Sequence, residues 1–294
     1  MLLTRRRTLS LLVAAPLVAA ACRKKGIRVG SKNFSESVLL GEIVKQQIAK
    51  ATGLAVEHKA NLGGSFICHQ AMLAGDLDCY VEYTGTALVA ILKDDSKPPL
   101  TDPDAVRREV ARVYADKYAI VWLPVFGFDD TFAILVRKVD AQKWGITKAS
   151  ELAAHQGEIR TGFGYEFVKR SDGYEAFVKA YGLAFKDPPM TMELGLTYRA
   201  LSEGKVDLIA GNSTSALIDK LGLVQLEDDR RFFPPYEAAP LLRKKIADDH
   251  PELVSALSAL GGKFSTAKMR ALNQAIDVDG RAADDVAREF LASL

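Results

Sequence analysis

Groups able to do chemistry are scattered through this 294-residue sequence rather than gathered into a catalytic signature. Its four histidines, His58, His69, His155 and His250, stand apart, and none lies in a nucleophile, zincin or triad setting. There is no P-loop and no G-x-S-x-G, and Gly162-Phe163-Gly164 is too short for a dinucleotide fingerprint, so no cofactor is expected. Cys68-His69 is a lone adjacent pair without the second Cys or His that zinc spacing needs, which argues against a metal site. Carboxylates are abundant, yet no spacing singles out a pair for acid–base work. These residue types point away from catalysis and toward a site that binds.

The elements that would position such a site alternate. Ile27-Arg28-Val29-Gly30 reads as a short strand, and Ser31 to Ser35 as a polar turn with Ser35 a candidate N-cap. Glu36 to Thr52 carries Val38, Leu39, Ile43, Val44 and Ile48 at helical spacing, and Gly53 stops it. A strand is expected from Leu54 to Ala60, a helix from Gly63-Gly64 to near Gly75, a strand from Leu77 to Val81 and a helix from Thr84 to Leu92. That alternation is the mark of an α/β fold with a largely parallel sheet. Lys93 to Asp104 reads as a polar, Pro-rich loop, Asp104 to Tyr118 as a helix, and Ile120–Phe126 and Thr131–Val136 as strands. Phe232-Phe233-Pro234-Pro235-Tyr236 is an aromatic crossing stiffened by proline, and two helices are expected to close the chain. In open α/β sheets ligands lie outside the carboxyl ends of the strands. Four segments sit there: Ser31–Ser35, Glu82–Thr86, Gly162–Arg170 and Gly211–Thr214.

Apolar residues make up 48% of the chain, ample for two lobes or one large domain, and no repeat or low-complexity tract is visible. The net charge of +2 includes Arg5, Arg6 and Arg7 of an expected leader, so the remainder is near neutral and offers nothing to a nucleic acid. Residues 1–22 follow the charge–apolar–small order of a secretory signal, with an apolar run from Leu9 to Ala21 too short for a comfortable span. Ala19-Ala20-Ala21-Cys22 resembles a bacterial lipobox, with Ala19 where Leu or Val is more usual; the expectation is lipidation at Cys22, with plain cleavage as the alternative. Thr4-Arg5-Arg6 with Leu9 also resembles a twin-arginine signal, although Thr8 replaces the usual Phe. Export permits a Cys68–Cys79 disulfide, but two small buried thiols are the better expectation.

At the same four segments the chain resembles the glycine betaine/choline/carnitine-binding family of ABC-transporter substrate-binding proteins. The resemblance rests on GSKNFSESVLLGEI (30–43), NLGGSFICHQAMLAGDLDCYVEYTGTAL (61–88), FGFDDTFAILVRK (126–138), the GYEF–DGY region (164–174) and EDDRRFFPPYEAAPLLR (227–243), and it covers essentially the whole chain beyond the leader. It implies a two-lobe periplasmic-binding-protein fold of type II, with a ligand cleft between lobe 1 (27–128 plus 234–294) and lobe 2 (129–233). It also implies an exported periplasmic or cell-surface protein, tethered by the lipid on Cys22, that hands a quaternary-ammonium solute to an ABC permease and, through it, an ATPase. A quaternary cation has no N–H to donate, so aromatic faces must select it. By resemblance Tyr83, Phe132 and Tyr236 are cage walls, and Lys32, Thr86 and Arg170 receive a carboxylate, which favours a zwitterionic betaine over choline. The family's fourth wall is a tyrosine before Ser-Thr; here Asn212 stands in its place, which puts glycine betaine itself in doubt and admits carnitine or a histidine betaine.

Taken singly, several of these residues have plainer readings. Tyr83 is a sheet aromatic, Phe132 a core residue, Lys32 a surface lysine and Asn212 a turn residue. Tyr236, between prolines and a glutamate, is not expected to lie deep in a core. Asp129-Asp130 reads as a solvated turn, with one carboxylate able to balance a cation, and Glu82 and Glu166 as facing water. Two other functions remain open at this stage: a sensory binding lipoprotein, or an enzyme acting on a betaine or choline ester.

Overall fold

The computed structural model describes residues 26–93 and 100–294. The expected leader, its lipobox-like end at Cys22 and half of the Pro-rich loop, residues 94–99, lie outside the described residues.

The chain begins as the periodicities dictate. β1 (Ile27–Gly30) leads into α1 (Ser35–Thr52), whose Leu39, Leu40, Ile43, Val44 and Ile48 are buried and whose end is turned by Gly53 at φ 67°. Phe34, not Ser35, occupies the N-cap position. Then follow β2 (Val56–Lys59), α2 (Ser65–Ala74) and β3 (Cys79–Tyr83). β3 starts two residues later than expected, because Leu77 belongs to the turn before it and its apolar side chain packs beneath the sheet rather than pairing in it. The helix expected after β3 is a π-helical segment, Thr86–Ile91, a rare geometry that concentrates at functional sites. α3 (Pro103–Tyr118) is capped by Asp102, whose side chain accepts from the Ala105 N–H at 2.8 Å, and β4 (Ile120–Trp122) ends this stretch.

The middle of the chain holds β5 (Phe132–Arg137), α4 (Lys138–Trp144), β6 (Thr161–Gly164), α5 (Tyr165–Lys169) and α6 (Tyr174–Tyr181). It continues through β7 (Met190–Met192), α7 (Leu194–Ser202), β8 (Leu208–Asn212), α8 (Leu217–Lys220) and β9 (Leu223–Gln225). The chain then returns through β10 (Ala238–Arg243) and closes with four helices rather than two: α9 (Lys244–Asp249), α10 (Pro251–Ser258), α11 (Thr266–Asp277) and α12 (Ala283–Ala292).

Two five-stranded sheets result, ordered β2-β1-β3-β10-β4 and β7-β6-β8-β5-β9. Neither is largely parallel: β1 pairs in parallel with β2 and β3, while β10 runs antiparallel to β3 and β4. The second sheet repeats this, with β6 parallel to β7 and β8, and β5 antiparallel to β8 and β9. The strands that cross between the sheets arrive from the opposite direction, which local alternation could not reveal.

The likeness of the sheets extends to a charge clamp that no sequence repeat announces. Asp78, just before β3, takes Arg28 Nε at 2.9 Å and Nη2 at 2.8 Å, and also the Arg28 backbone N–H at 3.0 Å. Asp207, just before β8, takes Arg160 Nε and Nη2 at 2.8 Å each and the Arg160 backbone N–H at 3.0 Å. A second arginine joins each, Arg243 at Asp78 and Arg137 at Asp207. Each bidentate fork fixes the inner parallel pair of its sheet, β1 to β3 and the strand entering β6 to β8. Burial pushes the Asp207 carboxyl up, but the hydrogen bonds from Arg160 and Arg137 outweigh it and hold the group at about 2. A depressed carboxyl stabilises the fold above the ordinary carboxylate range, and that contribution fades as the pH falls toward about 2. Asp207→Ala is expected to cost about 2 kcal/mol in urea unfolding at neutral pH, with a smaller difference in acid. An unchanged midpoint would mean that the fork adds nothing to the sheet.

Candidate ligand-binding cleft

A cavity of about 450 Å³ opens between the two sheets, within the roughly 300–1,000 Å³ of small-molecule sites. All seven residues singled out in the sequence line it: Lys32, Tyr83 and Thr86 from the first sheet's side, Phe132, Arg170 and Asn212 from the second, and Tyr236 from the returning crossing. The register explains part of this convergence. Phe132 and Asn212 are opposite each other across the β5–β8 pair, and Tyr83 sits opposite Ala238, two residues beyond Tyr236, across β3–β10.

The aromatic surface is continuous. Phe132 touches Phe167 at 4.8 Å between centroids, edge to face, and Tyr236 at 5.7 Å in the same manner. Tyr83 lies 6.4 Å from Phe34, a lining ring that the sequence reading passed over. Gly85 allows the Tyr236 ring to close on the backbone after β3, since a Cβ there would lie 2.8 Å from that ring. Tyr236 is only 2% exposed, more deeply set than its proline-flanked sequence suggested.

The charges are buried and paired. Lys32 Nζ lies 2.7 Å from Glu82 Oε1 and 3.3 Å from Ser65 Oγ, and 4.3 Å from the centre of the Tyr83 ring. Lys32 is thus no surface lysine, and Glu82 does not face water: it is fully buried and also accepts from the Tyr83 backbone N–H at 2.8 Å. Arg170 donates Nε at 2.7 Å and Nη2 to the two oxygens of Asp172, and Nη1 at 3.1 Å to the Thr86 hydroxyl across the cleft. Its guanidinium carbon stands 5.1 Å from the Phe132 centroid. Burial opposes the Arg170 charge, but the bonds it donates to the Asp172 carboxylate outweigh that and keep the group above its ordinary range. Tyr236 donates its hydroxyl to the same Asp172, and burial first, then that carboxylate, raises the phenol far above its usual value. Glu166 remains half-open at the cavity rim, 3.8 Å from Arg170.

Beneath Tyr83 lies a second acidic group that the sequence reading assigned to solvent. Asp130 is buried and lines the cavity, and Asp129 accepts from the Tyr236 backbone N–H at 2.6 Å. The Tyr83 hydroxyl donates to Glu36 at 2.6 Å. Asn212 turns out to be the last residue of β8, its N–H bound to the Tyr198 hydroxyl at 2.8 Å. Glu82, Asp172 and Glu36 were missed because a lone carboxylate carries no mark of its future partner, whereas Asp129-Asp130 was marked as able to balance a cation but not as buried. The only signal for these three was position: Glu82 opens one of the four strand-end segments, Glu36 directly follows another and Asp172 stands two residues past a third. Cys68 and Cys79 are free and buried, and burial pushes the Cys68 thiol up to about 12. Among the described residues no cluster of His, Cys, Asp or Glu could hold a metal ion, and no helix is long and apolar enough to cross a membrane.

Residues 25–293 match the family model described as the substrate binding domain of ABC-type glycine betaine transport systems. The chain belongs to this family. It is 35% identical to the carnitine transport binding protein OpuCC of Listeria monocytogenes over 291 residues, covering 96% of this chain and 93% of that one. It is 32% identical to the ergothioneine transport permease/ergothioneine binding protein EgtU of Helicobacter pylori, covering 93% of this chain and 48% of that longer protein. Among solved structures, a glycine betaine/carnitine/choline ABC transporter protein superposes with a TM-score of 0.74 at 33% identity, covering 91% of this chain and 98% of that one. The family's two-sheet fold is the one described above.

In this family member the ion pairs hold the cleft's walls, so removing one partner strands the other. Glu82→Ala leaves Lys32 uncompensated and is expected to destabilise the protein by roughly 3 kcal/mol or more. Thermal unfolding checks this, and a melting temperature equal to that of the unaltered protein would show that Lys32 does not depend on Glu82.

Proposed function

We propose that this protein is the extracytoplasmic solute-binding component of an ABC importer, and that it captures a quaternary-ammonium solute between two lobes, 27–128 with 234–294 and 129–233. The observation that carries this is the meeting of Tyr83, Phe132 and Tyr236 around one cavity with Lys32, Thr86 and Arg170. Aromatic faces supply what a trimethylammonium group can use, about 0.5–2 kcal/mol for each favourable contact. Lys32 and Arg170 supply the donors for a carboxylate, and the ion pairs with Glu82 and Asp172 hold these side chains in position for it. Solutes named for the relatives, betaine, carnitine, choline and ergothioneine, share the quaternary nitrogen.

Solute bridging the lobes favours their closure, because only the closed form touches it from both sides. The closed protein then docks on a membrane permease served by an ATPase. Binding without turnover is the whole of its chemistry. In this reading the chain is exported and held at the membrane by a lipid on Cys22.

Titration calorimetry against glycine betaine, choline, carnitine, proline betaine and ergothioneine tests the reading; binding to none of them would refute it. Tyr83→Ala is expected to weaken the best ligand by about 1 kcal/mol or more, on the order of tenfold. An unchanged dissociation constant would remove Tyr83 from the wall. Asn212 leaves one wall polar, so Asn212→Tyr is expected to shift preference toward glycine betaine. A preference that does not move would show that Asn212 does not set selectivity.

A further inference from the structure

Two buried carboxyls meet at one hydroxyl where the second sheet's loops touch the first sheet's helices. Thr214 Oγ1 lies 2.6 Å from Glu36 Oε2 and 2.8 Å from Asp130 Oδ1. A threonine hydroxyl has one hydrogen to donate. If both carboxyls were ionised, one of these short contacts would set two electron-rich oxygens together with nothing between them. Both become hydrogen bonds when one carboxyl carries a proton: Thr214 donates to one and accepts from the other.

The surroundings say which one. Glu36 already accepts from the Tyr83 hydroxyl at 2.6 Å and from Asn273 Nδ2 at 2.7 Å, so its charge is well supported. Besides the shared Thr214 hydroxyl, Asp130 Oδ1 accepts only the Thr214 N–H at 3.1 Å and a long contact from Ser213, and its second oxygen has no hydrogen-bond partner among the described residues. Asp130 is 9% exposed and that exposure is to the cavity it lines beside Phe132, Asn212 and Tyr83.

We propose that Glu36 and Asp130 hold one proton between them through Thr214, and that a quaternary ammonium in the cavity displaces it, Asp130 becoming the solute's counter-charge. The Asp130 O–H bond breaks, the proton passes to the solvent, and the carboxylate faces the cation. This rests on the solute class proposed above. It adds a specificity residue and a proton linkage to that reading.

The other charges near the pair leave room for this. Lys32 acts on Glu36, and Arg270 on α11 is turned to the Ser213 carbonyl at 2.8 Å. Asp129 and Tyr198 flank Asp130, and Asp277 of α11 is near Tyr198. No cation in this set bonds Asp130. Burial raises both carboxyls above their ordinary range; hydrogen bonds from Thr214, Tyr83 and Asn273 draw Glu36 back down, while the charges of Glu36 and Asp129 raise Asp130 further. A raised carboxyl releases its proton as the pH climbs, so affinity for a cation rises with pH until Asp130 is ionised in the free protein.

Calorimetry with glycine betaine, choline and carnitine, in buffers of differing ionisation heat from about pH 5 to about pH 8, reads this directly. The expected result is release of up to about one proton per solute, with affinity rising by as much as about tenfold per pH unit below the midpoint. Asp130→Asn should abolish both the release and the slope and weaken binding about tenfold at the upper end of the range. Glu36→Gln, which removes the charge opposing Asp130, should move the midpoint to lower pH. Binding with no proton release, or an Asp130→Asn protein that keeps the slope, overturns the inference and leaves the proposed function standing. Binding of none of the three solutes removes this inference with its premise.

Discussion

A charge taken out of water must find its opposite within hydrogen-bond reach, and the cleft of this protein is organised by that requirement. Lys32 and Arg170 are each nearly inaccessible, and each is met by a carboxylate, Glu82 and Asp172. These pairs stand where they do because the aromatic walls depend on them. Lys32 lies on the face of Tyr83, and Asp172 holds Arg170 and the Tyr236 hydroxyl at once. A buried ion pair adds little net stability over apolar packing, so its retention here is better understood as fixing geometry. The same pairing of charge appears just before β3 and β8, where Asp78 and Asp207 each collect two arginines.

The two halves of the molecule therefore share a plan although their sequences do not advertise it. Each sheet begins with a parallel pair clamped by an Arg–Asp fork and is completed by a strand that arrives antiparallel. The positions that make the fork are too few and too far apart to register as a repeat. The cleft forms where the carboxyl ends of these paired units face each other, so its residues come from distant parts of the chain. Thr86 and Arg170, which meet at 3.1 Å, are a case in point.

Much of the fold was legible because it is local. The 3.6-residue spacing of α1 and its glycine stop translate directly into what is observed, and α3 begins within one residue of its expected start. What was not legible depended on sequence-distant pairing. β10 joins β3 from far along the chain and turns an apparently parallel sheet into a mixed one. The site divided in the same way. Tyr83, Tyr236 and Lys32 were found through family motifs, while Glu82 and Asp130 read as solvated because a carboxylate's burial depends on which partner arrives. Asn212 looked like a turn and proved to be a strand end facing Phe132.

The central claim is that the cavity recognises positive charge by its aromatic faces rather than shape alone. Choline against its neutral carbon isostere 3,3-dimethylbutan-1-ol, and glycine betaine against 3,3-dimethylbutanoate, test this most directly by calorimetry. Each pair differs in the charge on the quaternary centre and hardly at all in form. The account predicts that the quaternary-ammonium member of a bound pair binds at least about tenfold more tightly than its isostere. Equal affinities within a pair would mean that the walls select volume, and the cation would have no part in recognition.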